Sequence, residues 1–159
     1  MKITLRQATE QDYTTYCNLL NEINDQHCAV LPGIFQKPSG VIFEREYFIS
    51  LLANADLAIF LAETEGQAAG FVHVLVREAP NYPLLVPRRF GIIDTLVVST
   101  AFRRGGVGKA LMRKAEEWAA SRGATAVELN VYEFNQVAQA FYRRMGYTTL
   151  SRRMSKPLK

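Results

Sequence analysis

The segment from Ile92 to Gly108 constrains this chain most. A β-branched run, Ile92 to Val98, stops at Ser99 and Thr100, and the loop Arg103-Arg104-Gly105-Gly106-Val107-Gly108 follows. Beyond it, Val107, Leu111, Ala115 and Trp118 recur on one helical face. A strand that runs through a glycine loop into a helix belongs to α/β architectures, and the same order builds an anion site. Glycines lack a Cβ, so backbone N–H groups can point at a bound group, and the first-turn amides of a helix carry unpaired donors with a partial positive charge. Arg103, Arg104 and Lys109 add full charges there.

Two common phosphate motifs fail letter by letter. A P-loop needs glycine where Arg103 stands and Ser or Thr where Ala110 stands, and a dinucleotide fingerprint needs glycine where Leu111 stands. What remains is Arg103-x-x-Gly106-x-Gly108.

Charge divides along the chain. Residues 1–85 carry five Lys/Arg against ten Asp/Glu, and residues 86–159 carry fourteen against five, within a net charge of +4. A basic half suits an anionic ligand and an acidic half a cationic one. The basic residues are dispersed around a glycine loop and form no nucleic-acid-binding motif, so no nucleic-acid partner is expected. No window approaches the roughly 18 uninterrupted apolar residues of a membrane span, and the first residues lack a long apolar core, so a cytoplasmic protein without a membrane partner is expected. Two cysteines, Cys17 and Cys28, with His27 and His73, give neither a disulfide framework nor a zinc spacing, and no metal site is expected.

In chain order, Ile3, Leu5 and Ala8 alternate as in a short strand, and Thr9 caps a helix with Asp12 three residues on. Two prolines and two glycines between Gln26 and Gly40 interrupt regular structure and mark a candidate substrate wall, before a helix over about Val41 to Ala53. Leu57 to Glu63 and Ala68 to Arg77 read as a hairpin, and a proline-rich loop offers Tyr82, Arg88 and Arg89 as ligand contacts. After the glycine loop and its helix, Ala126 to Val131 reads as a strand parallel to the one over Ile92 to Val98. Asn135 caps a helix to about Met145, and Tyr147 to Met154 returns as a last strand. The chain has no internal repeat and reads as one α/β domain over residues 1–159.

The second motif lies in this C-terminal part. A strand leads to Asn135, Ala138, Phe141-Tyr142 and Gly146-Tyr147. Together with Arg103-x-x-Gly106-x-Gly108, in this order and at this separation, it resembles the GNAT N-acetyltransferase superfamily. The resemblance is specific from about Ile92 to Tyr147 and covers the earlier residues only by element order.

The resemblance implies a mixed, twisted central sheet of about six to seven strands, flanked by about four helices, with acyl-CoA in the cleft between two splayed parallel strands. It implies acetyl-CoA as co-substrate, an amine acceptor that is a small molecule or a peptide or protein amine, and homodimers as a common assembly. By the same resemblance, Leu96, Val97 and Val98 offer backbone groups to the thioester end. Arg103, Arg104, Gly105, Gly106, Val107, Gly108 and Lys109 hold the pyrophosphate, and Asn135, Ala138 and Tyr142 meet the pantetheine arm. Tyr142 aligns with a general acid that protonates the leaving thiolate.

The sequence does not fix the base. Asp94 stands two residues before Leu96 on the same strand, so alternation puts both side chains on one face, and an acid inside Ile92 to Leu96 would be an unusual burial. Glu63, Glu128 and His73 are further candidates, as is a water chain. Cys17 and Cys28 fall outside both motifs, which favours direct attack over an acyl-enzyme. A domain of the same fold that binds acyl-CoA without catalysis is the rival reading. Glu44 and Glu46, in the acidic half, point to a cationic acceptor amine.

Overall fold

The computed structural model describes residues 2–158. Its elements are β1 (Ile3–Gln7), α1 (Tyr13–Val30), α2 (Arg45–Leu52), β2 (Leu57–Thr64), β3 (Gln67–Glu78), β4 (Arg89–Val98), α3 (Val107–Ser121), β5 (Val127–Leu129) and α4 (Gln136–Arg144). Short 3-10 turns lie at Glu10–Asp12 and Thr100–Phe102. The five strands form one sheet in sequence order, antiparallel from β1 to β4 and parallel between β4 and β5.

Two apolar layers sandwich the sheet. On one face Val72, Val74, Val76 and Ile93 pack with Val107, Leu111, Met112, Ala115 and Ala119 of α3, and Phe141 and Tyr142 of α4 join them with Met145 just past its end. On the other face Ile59, Leu61, Phe71 and Val97 pack with Tyr16 and Leu19 of α1 and with Phe48 of α2. The β2–β3 turn has Glu65 at φ 52° and Gly66 at φ 76°. Two positive φ values in succession match the twist of the flanking strands, and this turn is the hairpin that the sequence predicts.

The sequence misplaces three boundaries. The predicted last strand, Tyr147 to Met154, has no regular secondary structure, so the sheet has five strands rather than six or seven. β5 is only three residues long and offers little edge to pair with, and Leu150 and Met154 remain exposed. α1 runs five residues into the stretch read as irregular and ends at Val30, because Pro32 is what stops it. Leu31, the residue before that proline, has φ −125° and ψ 61°, outside the helical region. α2 begins at Arg45 rather than near Val41, with Glu44 extended as its cap.

At the entry to α1, Asp12 is buried and gathers four hydrogen bonds. Arg6 donates to both of its oxygens at 2.8 and 2.7 Å, and the Thr9 N–H (2.8 Å) and hydroxyl (3.1 Å) donate to Oδ2. The Arg6 guanidinium is the main cause that holds the Asp12 carboxyl down at about 2. A depressed carboxyl stabilises the fold above its unfolded pKa near 3.9 and loses that stabilisation as pH falls towards about 2. Asp12→Asn is therefore expected to destabilise by about 2–3 kcal/mol at pH 7, with the gap to wild type narrowing below pH 4. Denaturant melts at pH 7 and pH 3 read this out.

Among the described residues, no helix is long and apolar enough to cross a membrane, and no group of three or more His, Cys, Asp or Glu could hold a metal ion.

Candidate active site

The site begins where β4 and β5 part. Their pairing covers only Gly91–Val127, Ile92–Glu128 and Ile93–Leu129, yet β4 continues to Val98, so five residues face a gap on that edge. At the same point the register between β3 and β4 shifts. His73 pairs with Thr95 and Val74 with Ile93, which leaves Asp94 as the extra residue of a β-bulge.

That extra residue decides which amides face the gap. The Gly91 N–H bonds the Ala126 carbonyl on the β5 side, so plain alternation would send odd-numbered amides outward. Instead the Ser99 N–H bonds the Ala69 carbonyl on the β3 side, and alternation back from it turns the Leu96 and Val98 N–H groups into the gap. Val97 turns its amide to β3 and its side chain into the layer of α1 and α2. Of the three predicted residues, Leu96 and Val98 thus face the gap and Val97 does not.

The loop beyond β4 is shaped as the sequence suggests. Arg104 (φ 64°) and Gly106 (φ 86°) are left-handed, and Gly106 caps α3. The Ala110 N–H donates to the Gly106 carbonyl, so the first amides of α3, Val107, Gly108 and Lys109, precede the helical ladder and are its unpaired donors. Val107 is fully buried and anchors the helix start. Gly105, Arg103, Arg104 and Lys109 are exposed. Arg103 Nε donates to the Val98 carbonyl at 3.1 Å, which fixes that cation at the mouth of the gap. A Cβ on Gly108 would lie 3.4 Å from both Val98 and Phe141, so glycine lets α3 start close against β4 and α4.

α4 closes the same face. The Asn135 carboxamide oxygen accepts the Ala138 N–H at 3.1 Å, a helix cap that leaves the Asn135 NH2 group uncommitted and occupies the Ala138 amide. One turn on, Tyr142 packs beside Phe141 and Tyr147, with ring centroids 5.3 and 5.9 Å away, in the layer that also holds Leu96 and Val98. Among the described residues its hydroxyl has no protein hydrogen-bond partner, and burial pushes its pKa up to about 12. Tyr147, by contrast, gives its hydroxyl to Glu116 at 2.8 Å.

Asp94 is not where alternation predicts. The bulge turns it to the opposite face from Leu96, towards His73 and the α1 layer, and its side chain is 54% exposed rather than buried. Its Oδ2 lies 3.5 Å from His73 Nδ1 and accepts the Thr95 hydroxyl at 3.1 Å. The other carboxylate candidates are engaged elsewhere, Glu63 with Arg6 at 2.7 Å and Glu128 with Arg88 at 2.8 Å. Arg89 is likewise held by Glu78 and Asp56, so the loop that carries Arg88 and Arg89 braces the end of the sheet where β4 begins, not the end where it opens.

Three features escape the sequence reading. Glu22 on α1 accepts the Thr100 N–H at 2.6 Å and its hydroxyl, tying that helix to the strand–loop junction. Phe35 packs tilted against His27 at 4.7 Å and meets Tyr132 edge-on at 5.4 Å, so the predicted substrate wall does reach the segment that leaves β5. Between α3 and α4 lies a groove of about 550 Å³ lined by Lys109, Arg113, Glu116, Phe141, Arg144 and Met145. The four-residue spacing of Lys109 and Arg113 was the available signal for that basic groove, since it puts both on one helical face.

Comparison with known proteins agrees with this geometry. Residues 20–147 match the family model described as the acetyltransferase (GNAT) family. An uncharacterized N-acetyltransferase of Methanocaldococcus jannaschii is 35% identical over 103 residues, 65% of this chain and 44% of that protein, so the chain matches less than half of that relative's length. One from Bacillus subtilis is 23% identical over 145 residues, 91% of this chain and 89% of the relative. The BH1408 protein from Bacillus halodurans, solved as a mutant, superposes with a TM-score of 0.92 at 24% identity and covers 98% of this chain and 99% of its own. With a family match over most of its length and the splayed parallel strands in place, the chain belongs to the acetyltransferase (GNAT) family.

Proposed function

We propose that the chain transfers an acetyl group from acetyl-CoA to a primary amine, carried by a small molecule or a peptide, through direct attack. The observation that carries this reading is the five-residue gap beside β4, with two backbone donors aimed into it and titratable groups on its two faces. A structural neighbour at 18% identity and TM-score 0.73, an aminoglycoside N-acetyltransferase, is described in complex with CoA.

The residues fit such a co-substrate. The unpaired first-turn amides of α3 with Arg103, Arg104 and Lys109 would hold a pyrophosphate, and the groove with Lys109, Arg113 and Arg144 suits the nucleotide end. The Leu96 and Val98 amides and the Asn135 NH2 group would meet the amides of an extended arm. When bound, acetyl-CoA supplies an acyl group already activated as a thioester.

The protein supplies proton transfer and charge stabilisation. Asp94 takes one proton from the acceptor ammonium, and the freed amine forms the new N–C bond. A backbone N–H in the gap stabilises negative charge on the acyl oxygen. The C–S bond breaks with its electron pair on sulfur, Tyr142 gives its hydroxyl proton to that sulfur, and the second proton of the attacking nitrogen, released as the amide forms, passes through water to restore the Tyr142 hydroxyl while Asp94 returns its own to solvent. Asp94 and Tyr142 lie on opposite faces of the sheet, so amine and thiolate occupy opposite sides of the acyl group.

Calorimetric titration with acetyl-CoA, followed by an amine panel read through CoA release, tests this reading. Saturable binding with turnover is expected. Binding without turnover on a broad panel would favour a non-catalytic acyl-CoA binder, and no binding would overturn the assignment. Gly106→Val forces a β-branched residue to φ 86°, so the loop amides must turn away, and acetyl-CoA affinity is expected to fall at least about tenfold while the protein stays folded.

A further inference from the structure

The Nε2 of His73 is the one fully buried side-chain polar atom among the described residues without a hydrogen-bond partner. The residue is only 6% exposed and sits on β3 opposite Ile59 of β2 and Thr95 of β4. Burial of a histidine without compensating bonds is costly, and nothing in the packing of the α1 layer requires a ring nitrogen there. Its other nitrogen, Nδ1, faces the bulge residue Asp94 at 3.5 Å.

The contact is one-sided in a way that matters for proton transfer. Both neighbours of the Asp94 carboxylate, Thr95 Oγ1 and His73 Nδ1, approach the same oxygen, Oδ2. Oδ1 keeps both of its lone pairs, on a carboxylate that is half exposed at the apex of the gap. We propose that His73 is a positioning residue: its neutral Nδ1–H holds Asp94 Oδ2, so that Oδ1 is left to take the proton of the acceptor amine. In that step one proton moves from the ammonium to Oδ1, and His73 neither gains nor loses one.

Burial pushes His73 below its ordinary pKa and Asp94 raises it again, with burial the larger cause, so the ring is neutral at pH 7. The other titratable group facing the pair is Tyr16 of α1, itself pushed up by burial and close to Tyr47 of α2, so it stays protonated. The sign of the linkage follows. A histidine held neutral stabilises the fold above its unfolded pKa near 6.5, and that contribution is lost as pH falls towards the lowered value.

The inference rests on Asp94 acting as the base, and the test separates the two. The chain has only two histidines, so nitrogen-15 NMR of the imidazoles assigns His73 without ambiguity. The expected result is an Nδ1–H tautomer and a titration midpoint that drops further in Asp94→Asn. An Nε2–H tautomer, or a midpoint indifferent to Asp94→Asn, overturns the pairing whether or not an acceptor is known. With acetyl-CoA and the fastest amine of the panel, His73→Leu is expected to lower kcat/KM about tenfold or more and to move its acid limb, and to do neither in the Asp94→Asn background. Equal losses in both backgrounds overturn the positioning role. His73→Asn, which keeps a donor near the Nδ1 position, is expected to recover most of the rate, and its recovery guards against a folding defect in His73→Leu. If wild type turns over no amine, the acetyl-transfer reading fails while the NMR result still decides the pairing.

Discussion

Tyr142→Phe lowers kcat by about 100-fold or more while acetyl-CoA affinity stays within about twofold. General acid catalysis contributes typically ~100- to 10,000-fold, and removing the acid removes an interaction used in the transition state rather than in binding. The variant is clean because the Tyr142 hydroxyl has no protein partner among the described residues and the ring alone packs against Phe141 and Tyr147. Stability is therefore expected to change by less than about 1 kcal/mol. With its pKa at about 12, Tyr142 is protonated throughout the neutral range, so it contributes no basic limb to the rate profile below about pH 11. Single-turnover measurements with saturating acetyl-CoA read the chemical step, and an unchanged rate there removes Tyr142 from the acid role.

Gly70→Ala strikes the fold and the site together. A Cβ on Gly70 would lie 2.2 Å from the Val97 carbonyl oxygen and 3.1 Å from the Val98 Cα, both backbone atoms that cannot rotate away. Relief requires β4 to move off β3 where Gly70 pairs with Val98, the residue whose amide faces the gap. The expected cost is about 3 kcal/mol or more, above the usual range for one added methyl because backbone opposes it. For a chain of this size that is a fall in Tm of about 6–12 °C, and acetyl-CoA affinity falls with it. Gly40→Ala, with nothing within 4 Å of its Cβ, is the control and is expected to stay within about 0.5 kcal/mol. A Gly70→Ala melt that matches the control would mean that the strands tolerate wider spacing than their register implies.

Local signals carried most of what was legible in the sequence. Thr9 with Asp12, the Glu65-Gly66 turn, Gly106 before α3 and Asn135 before α4 each specify a boundary through side chains or φ values within a few residues, and each stands where it was read. Helix ends governed by propensity alone were less secure, as α1 shows by running on to the last residues before Pro32. The missing last strand depended on an edge three residues long, a property of β5 rather than of residues 147–154.

Asp94 marks the limit more sharply. Period-two alternation is a rule about uninterrupted pairing, and a one-residue shift cannot be seen from one strand alone. An acid is out of place among Ile92, Ile93 and Leu96, and the oddity has a cause, although not the burial that the sequence suggests. The partnership with His73, 21 positions earlier, depends on register between β3 and β4, and the ion pair that occupies Glu128 on the pairing of β4 with β5.

The bulge also bears on how this chain can change. A strand of constant phase would offer its outward amides to a neighbour along its whole length, and whatever ligand it met would compete with that neighbour. One inserted residue divides β4 into two phases, the first serving β5 and the second serving the gap, with the boundary where β5 ends. Substitutions in β4 alter side chains and leave those amides in place, and deletion of Asp94 would restore plain pairing with β3 and keep Leu96 and Val98 turned to the gap, so what the extra residue adds is a carboxylate beside His73. The identity of that one residue, more than the length of the strand, is what this edge has to conserve.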